Sequence, residues 1–193
     1  VDKKLVKSVG EHWVCSELAR RGWATALTRD GLARTDILAV NTELPDRPMI
    51  ELQVKTVTQQ RPGQSVRWLV GKTVGQNDAS DREWFVLVVV PPGDSPLKGY
   101  VIPRDHLTAA THLQHTDWLK TPNPKRERRA GMDQARLHDT KIENYSGRWD
   151  LLERPTSESP DLLPAELTAL IDDPRVGLPD GHPWLDGKRP AAG

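Results

Sequence analysis

The sequence predicts an α/β fold, a mixed β-sheet flanked by helices. Three observations carry that expectation. An amphipathic stretch opens the chain, short β-type segments separated by turn residues follow it, and a continuous apolar run near the middle is succeeded by a further strand and a helix.

Residues 3–21 place Leu5, Val6, Val9, Trp13, Val14, Leu18 and Ala19 at helical spacings. Lys3, Glu17 and Arg21 gather on the opposing polar face, and Gly22 supplies the stop. Strand-type segments at 23–28, 36–40 and 49–58 are separated by Arg29-Asp30-Gly31 and by the turn-rich stretch 41–48, which predicts an antiparallel meander. A fourth strand is expected at 66–70. The run Trp84-Phe85-Val86-Leu87-Val88-Val89-Val90 has the length and β-branched content of a strand buried on both faces, so it is expected at the centre of the sheet. Pro91-Pro92-Gly93-Asp94 ends it, residues 99–102 return as a strand, and a helix follows over 104–115.

Beyond Asp150 the texture changes. Prolines at 155, 160, 164, 174, 179, 183 and 190 interrupt a segment with little periodicity outside 162–171. Residues 1–153 are therefore read as the α/β domain and 154–193 as a Pro-rich acidic C-terminal appendage. Charge follows the same division: 27 basic and 27 acidic residues cancel overall, but residues 1–153 carry 23 and 20 of them and residues 154–193 carry 4 and 7. No global field draws the molecule onto a polyanion, so any grip on nucleic acid is local.

Composition closes off several classes. The single cysteine, Cys15, allows neither an internal disulfide nor a Cys-based metal site, which fits a reducing, cytoplasmic setting. The longest apolar run is far short of the roughly 20 residues that span a bilayer, so a membrane role is not expected. No GxSxG, P-loop or GxGxxG pattern is present; Gly71-Lys72-Thr73 ends like a phosphate loop but lacks the preceding glycine. His112 and His115 stand one helical turn apart without a third zinc ligand.

The chemistry-bearing stretch is Gly10-Glu11, then Thr35-Asp36-Ile37, then Ile50-Glu51-Leu52-Gln53-Val54-Lys55. Alternation on a strand sends Glu51, Gln53 and Lys55 to one face while Ile50, Leu52 and Val54 point into the core. The connection 41–48 lets the strand beginning near Asp36 pair beside it. An acidic side chain then stands next to Gln53 and Lys55, forming a pocket for a hard cation beside an ammonium group. A phosphodiester hydrolase needs such a pocket, because a divalent metal neutralises charge on the phosphate and acidifies a water that a nearby cation positions.

In these residues and their order, helix, Asp strand, then xK strand, residues 3–105 resemble the PD-(D/E)xK nuclease superfamily, whose restriction-endonuclease-like core has this arrangement. Gln-x-Lys in place of Glu-x-Lys is similar to the Mrr-type restriction endonucleases, and a glutamate on the leading helix resembles the Holliday-junction resolvases. The resemblance implies a Mg²⁺- or Mn²⁺-dependent DNA endonuclease acting in restriction or repair. It implies that Asp36 is the main metal carboxylate, Gln53 a neutral oxygen ligand and the Val54 carbonyl a further ligand. It also implies that Lys55 orients or deprotonates the attacking water and that Glu11 completes the metal or water shell. Thr35 stands where the superfamily motif has proline.

DNA is the expected partner, and cutting both strands of a duplex would most simply use a homodimer. Phosphate contacts are expected from Arg61, Arg67 and Lys72 after the motif strand, and from Lys125, Arg126, Arg128 and Arg129 in a basic run. Two other readings compete: a catalytically silent DNA-binding or assembly subunit that keeps the nuclease-like scaffold, and an interaction protein that docks a partner through its acidic tail.

Overall fold

The computed structural model describes residues 2–28, 34–75, 80–125 and 127–193. Helix α1 spans Lys3–Ala19, and the Asp2 side chain caps it by accepting the Lys4 N–H at 2.9 Å. The helix stops short of Gly22, which takes a left-handed φ of +79° as the chain turns into the sheet.

Strands β1 (Trp23–Leu27), β2 (Ile37–Asn41) and β3 (Met49–Thr58) form the expected antiparallel meander, with Ala26 opposite Leu38 and Leu38 opposite Glu51. The segment 66–70 yields a short strand, β4 (Arg67–Leu69). Next come β5 (Glu83–Val90), parallel to β3 with Val86 opposite Val54, and β6 (Lys98–Pro103), antiparallel to β5. The five-stranded sheet runs β1-β2-β3-β5-β6, so it is mixed, as the sequence predicts. Its middle strand is β3. The apolar run sits one place away, still flanked on both sides and buried along all but its last residue.

Strand β4 is not part of this sheet. It pairs antiparallel with β7 (Arg136–His138) in a separate two-stranded ribbon. The physical reason is the parallel β3/β5 pair, which needs a crossover connection, and β4 lies within that crossover. Its Trp68 is buried; the indole N–H donates to the Val88 carbonyl at 3.2 Å, and the ring packs edge-to-face on Tyr100.

Helix α2 (Arg104–Lys120) follows β6 without a loop and runs beyond the expected end at 115. It stops at Thr121, whose extended backbone is what a residue preceding Pro122 adopts. The Pro-rich stretch from 154 onward forms the short helix α3 (Ala165–Thr168) and several 3-10 turns. Leu162, Leu163, Leu167 and Trp184 nevertheless join the same buried cluster as the sheet. Polar ties reinforce the packing. The Tyr145 hydroxyl accepts the Leu162 N–H at 3.1 Å and bonds His106 Nδ1 at 2.7 Å, while His182 Nε2 meets the Asp105 carbonyl at 3.2 Å. Among the described residues no helix is long and apolar enough to cross a membrane.

Candidate active site

The site begins with a close approach. Gly10 is buried where α1 crosses β3, and a Cβ added there would stand 1.9 Å from Thr56 Oγ1. A glycine is therefore what lets the helix settle onto the strand. Thr56 faces α1, so by alternation Leu52 and Val54 do too, while Glu51, Gln53 and Lys55 look to the other side of the sheet.

From α1, Glu11 and Lys7 project toward the start of β2. The Lys7 ammonium lies 3.2 Å from Glu11 Oε1 and 3.3 Å from Asp36 Oδ1, so two carboxylates from separate elements converge on one cationic nitrogen. Burial alone would lower the Lys7 pKa, but its bonds and proximity to Glu11 and Asp36 outweigh that and hold it above the usual value. Lys7 carries no motif signature; its only signal in the sequence is its place four residues before Glu11.

Asp36 immediately precedes β2 and is fixed on three sides. Its N–H donates to the Leu52 carbonyl at 2.8 Å, its carbonyl accepts the Thr28 N–H at 2.9 Å, and its Oδ2 accepts the Val54 N–H at 2.8 Å. The carboxylate thus continues the β2/β3 ladder where the backbone of β2 departs. Because a strand residue points its N–H and C=O toward the same edge, the Val54 carbonyl also faces the side on which Asp36 sits. Glu11, Asp36 and Val54 are therefore brought together.

Lys55 lies on the other face of β3 within the field of Asp36. Burial pushes its pKa below the ordinary lysine value, Asp36 opposes that shift, and Arg104 and Lys7 reinforce it. Gln53 turns elsewhere: its Oε1 accepts from Arg104 Nη2 at 3.5 Å.

The sequence reading missed the network around Arg104. This residue, 1% exposed at the first turn of α2, pairs through Nε with Glu83 Oε2 and lies over the Phe85 ring, 4.8 Å from its centroid. Arg34 Nη2 reaches the same Glu83 oxygen at 2.6 Å. Glu51, opposite Glu83 on the neighbouring strand, accepts from Thr35 Oγ1 at 2.7 Å. The threonine in the motif's proline position thus orients a carboxylate. The available sequence signal was a glutamate opening an otherwise apolar strand, which needs a buried partner.

The basic residues are spread widely. Arg61, Arg67, Lys72 and Lys125 are exposed. Arg128 donates to the Trp118 carbonyl at the end of α2 and covers the Trp118 ring, and Arg129 pairs with Glu127 at 2.6 Å. Much of that basic run is thus engaged locally; Arg126 lies outside the described residues. Among the described residues, no third carboxylate, imidazole or thiolate joins Glu11 and Asp36 in a metal-binding cluster.

No protein-family model matches the chain, and no curated protein does. Among solved structures the chain is similar to that of a bacterial homing endonuclease, I-Ssp6803I. The identity is 16%, the match covers 79% of this chain and 95% of that one, and the TM-score is 0.47.

Proposed function

We propose that the protein is a metal-dependent DNA endonuclease of the PD-(D/E)xK type, hydrolysing phosphodiester bonds in restriction or repair. The observation that carries this reading is the convergence of Glu11 and Asp36 on a single cationic nitrogen, with a partly buried lysine in the field of Asp36. The element order supports it: a helix, a three-stranded meander with Asp36 at the start of β2 and Lys55 on β3, and β5 parallel to β3.

The donor set fits a hard divalent cation. Two carboxylates already share a cation, and a backbone carbonyl faces the same side. Glu11, Asp36 and Val54 would hold Mg²⁺ or Mn²⁺, which supplies charge neutralisation at the phosphate and an acidified water. Around it, Asp36 is locked by the Val54 N–H, so its second oxygen, which faces Lys7, has a fixed direction. Lys55, half-buried beside Asp36, would present Nζ to the attacking water and orient it or take its proton as oxygen bonds to phosphorus. The bond from phosphorus to the 3′ oxygen would then break in line, with solvent water protonating the leaving oxygen.

One observation favours the silent-subunit reading: Gln53, the proposed neutral ligand, gives its oxygen to Arg104. The two readings separate in one experiment. Wild type, Asp36→Ala and Lys55→Ala are incubated with plasmid and branched DNA in Mg²⁺, Mn²⁺ or EDTA. Metal-dependent cutting that both substitutions abolish, with DNA binding retained, supports the nuclease. Binding without cutting in any metal supports the silent subunit, and full activity in either variant removes the site assignment.

A further inference from the structure

Two adjoining grooves lie beside the site, and their linings share Arg67 and Arg136. One, of about 990 Å³, opens where α1 crosses β3: Val6 and Val9 of the helix bearing Lys7 and Glu11 form one wall, and Thr56, next to Lys55, lies in its floor. The other, of about 530 Å³, runs between the β4/β7 ribbon and the C-terminal half of α2, where Trp118 forms part of the wall.

Their charge is one-sided. The chain as a whole carries as many carboxylates as basic residues, yet among the described residues the two linings contain Lys3, Arg67, Arg136 and Lys141 and no aspartate or glutamate; Asp139, just outside, is engaged by Ser65 Oγ and the Val66 N–H. Among the described residues Arg67 and Arg136 are in no ion pair; Lys141 reaches Glu166 of α3 at 3.2 Å. Pairing across the ribbon explains why the two arginines act together. Arg67 stands opposite His138 and Leu69 opposite Arg136, so all four face outward while Trp68 and Leu137 are buried. His138 feels these cations: burial lowers its pKa most, Arg67 presses the same way, Asp139 opposes, and Lys141 adds to the lowering.

The non-ionic surface suits bases. Leu5 and Val9 on α1 are 61% and 44% exposed, Trp118 is 40% exposed at the far end, and glutamine amides line both grooves. A concave, two-part track with cations at its join admits an extended strand. A duplex keeps its base faces inside the stack, whereas an unpaired strand can lay them on this exposed apolar and amide surface.

We infer that the paired grooves bind a single-stranded nucleic-acid segment, its phosphates on Arg67 and Arg136, and lead it to the Glu11/Asp36 site. This rests on the nuclease reading for the destination of the strand but not for its binding.

The test uses full-length Asp36→Ala protein, so that binding is read without cleavage, and a fluorescein-labelled single strand of about 16 nucleotides. Anisotropy titrations compare it with a duplex of the same sequence at several salt concentrations. Adding Arg67→Ala/Arg136→Ala is expected to weaken single-strand binding about tenfold or more and to flatten the salt slope by about 1.4, the share of two phosphates. Gln60→Glu, which puts a carboxylate into the exposed floor, is expected to weaken it as well. The control pair Arg20→Ala/Arg175→Ala removes the same charge outside the grooves and is expected to leave affinity within about twofold. Equal affinities for the groove and control pairs, or tighter binding of duplex than of single strand, overturns the inference. If groove-dependent binding is found but the wild type cuts no DNA in any metal, the nuclease reading fails and the groove stands. If the groove pair cuts single strands with unchanged KM, the groove fails and the nuclease reading stands.

Discussion

Gly10→Ala is a sharp test of how the site is held. In an open helix this change would stabilise the protein by about 1 kcal/mol, because alanine is the better helix former. Here the added Cβ would stand 1.9 Å from Thr56 Oγ1 and 3.0 and 3.1 Å from Thr56 Cβ and Cγ2, so either α1 lifts from β3 or Thr56 leaves its rotamer. Such overpacking costs about 1–3 kcal/mol, which cancels the expected gain or turns it into a net loss of up to about 2 kcal/mol. Thr56→Ala should relieve most of it. That substitution removes two of the three clashing atoms, together with a buried hydroxyl that has no hydrogen-bond partner among the described residues. The assay is urea unfolding of both single variants and the double. The Gly10→Ala midpoint should stay level or fall, by up to about 1 M for a slope near 2 kcal/mol per M, and the cycle should show a coupling of about 1 kcal/mol or more. DNA cutting should fall further than stability predicts, because lifting α1 carries Lys7 and Glu11 away from Asp36. A Gly10→Ala protein more stable than wild type would refute the close approach and the site geometry built on it.

Lys7→Met, which takes the ammonium from between Glu11 and Asp36, should tighten Mn²⁺ binding roughly fivefold, the scale of an exposed ion pair of about 1 kcal/mol. Glu11→Gln should weaken it; calorimetric titration checks both, and unchanged affinities would place the metal elsewhere. Arg104→Met strips Glu83 of its most buried partner and should destabilise the fold by about 3–5 kcal/mol, with part of that recovered in Arg104→Met/Glu83→Gln. Thermal melts of the three proteins decide it. Burial holds the His106 pKa down to about 3, with His182 pressing the same way, against 6.5 for a free imidazole. Below pH 6.5 the unfolded chain takes up a proton that the folded one refuses, so stability should fall as pH drops from 6.5 toward 3. His106→Gln should flatten that dependence in urea midpoints compared at about pH 7 and about pH 4.5.

The meander, the returning strand and both long helices were legible because each element is written in local periodicity and punctuation. Asp36 and Lys55 were legible because two short strands joined by one connection leave little freedom in how they pair. The placement of β4 was not, since β4 and its partner Arg136–His138 are far apart in the chain and β7 contains a single apolar residue. Lys7 and Arg104 escaped for a different reason. Each acts through a partner chosen by packing rather than by spacing: Lys7 through the crossing of α1 over β3, Arg104 through a β5 glutamate brought beneath the first turn of α2. The C-terminal prolines hid part of their own anchoring: Leu162, Leu163 and Leu167 come from the short periodic stretch, but Trp184 is buried from a 3-10 turn that has no period to read.

The charges around Lys55 form one system that spans both faces of the sheet. Asp36 would hold the proton on Lys55, but its carboxylate is already committed, one oxygen to the Val54 N–H and the other to Lys7. Arg104, fixed from the opposite face by Glu83 and resting on Phe85, adds a like charge that cannot move away. Burial supplies the largest share of the depression, Asp36 opposes it, and Arg104 and Lys7 add to it. In the proposed site a carboxylate that holds a cation and a lysine that serves as base would be in conflict at close range, because each stabilises the charged form of the other. Here the conflict is resolved by giving Asp36 other partners. The residues that do so, Lys7 and the Val54 backbone, are positioned by the same glycine crossing that places Glu11.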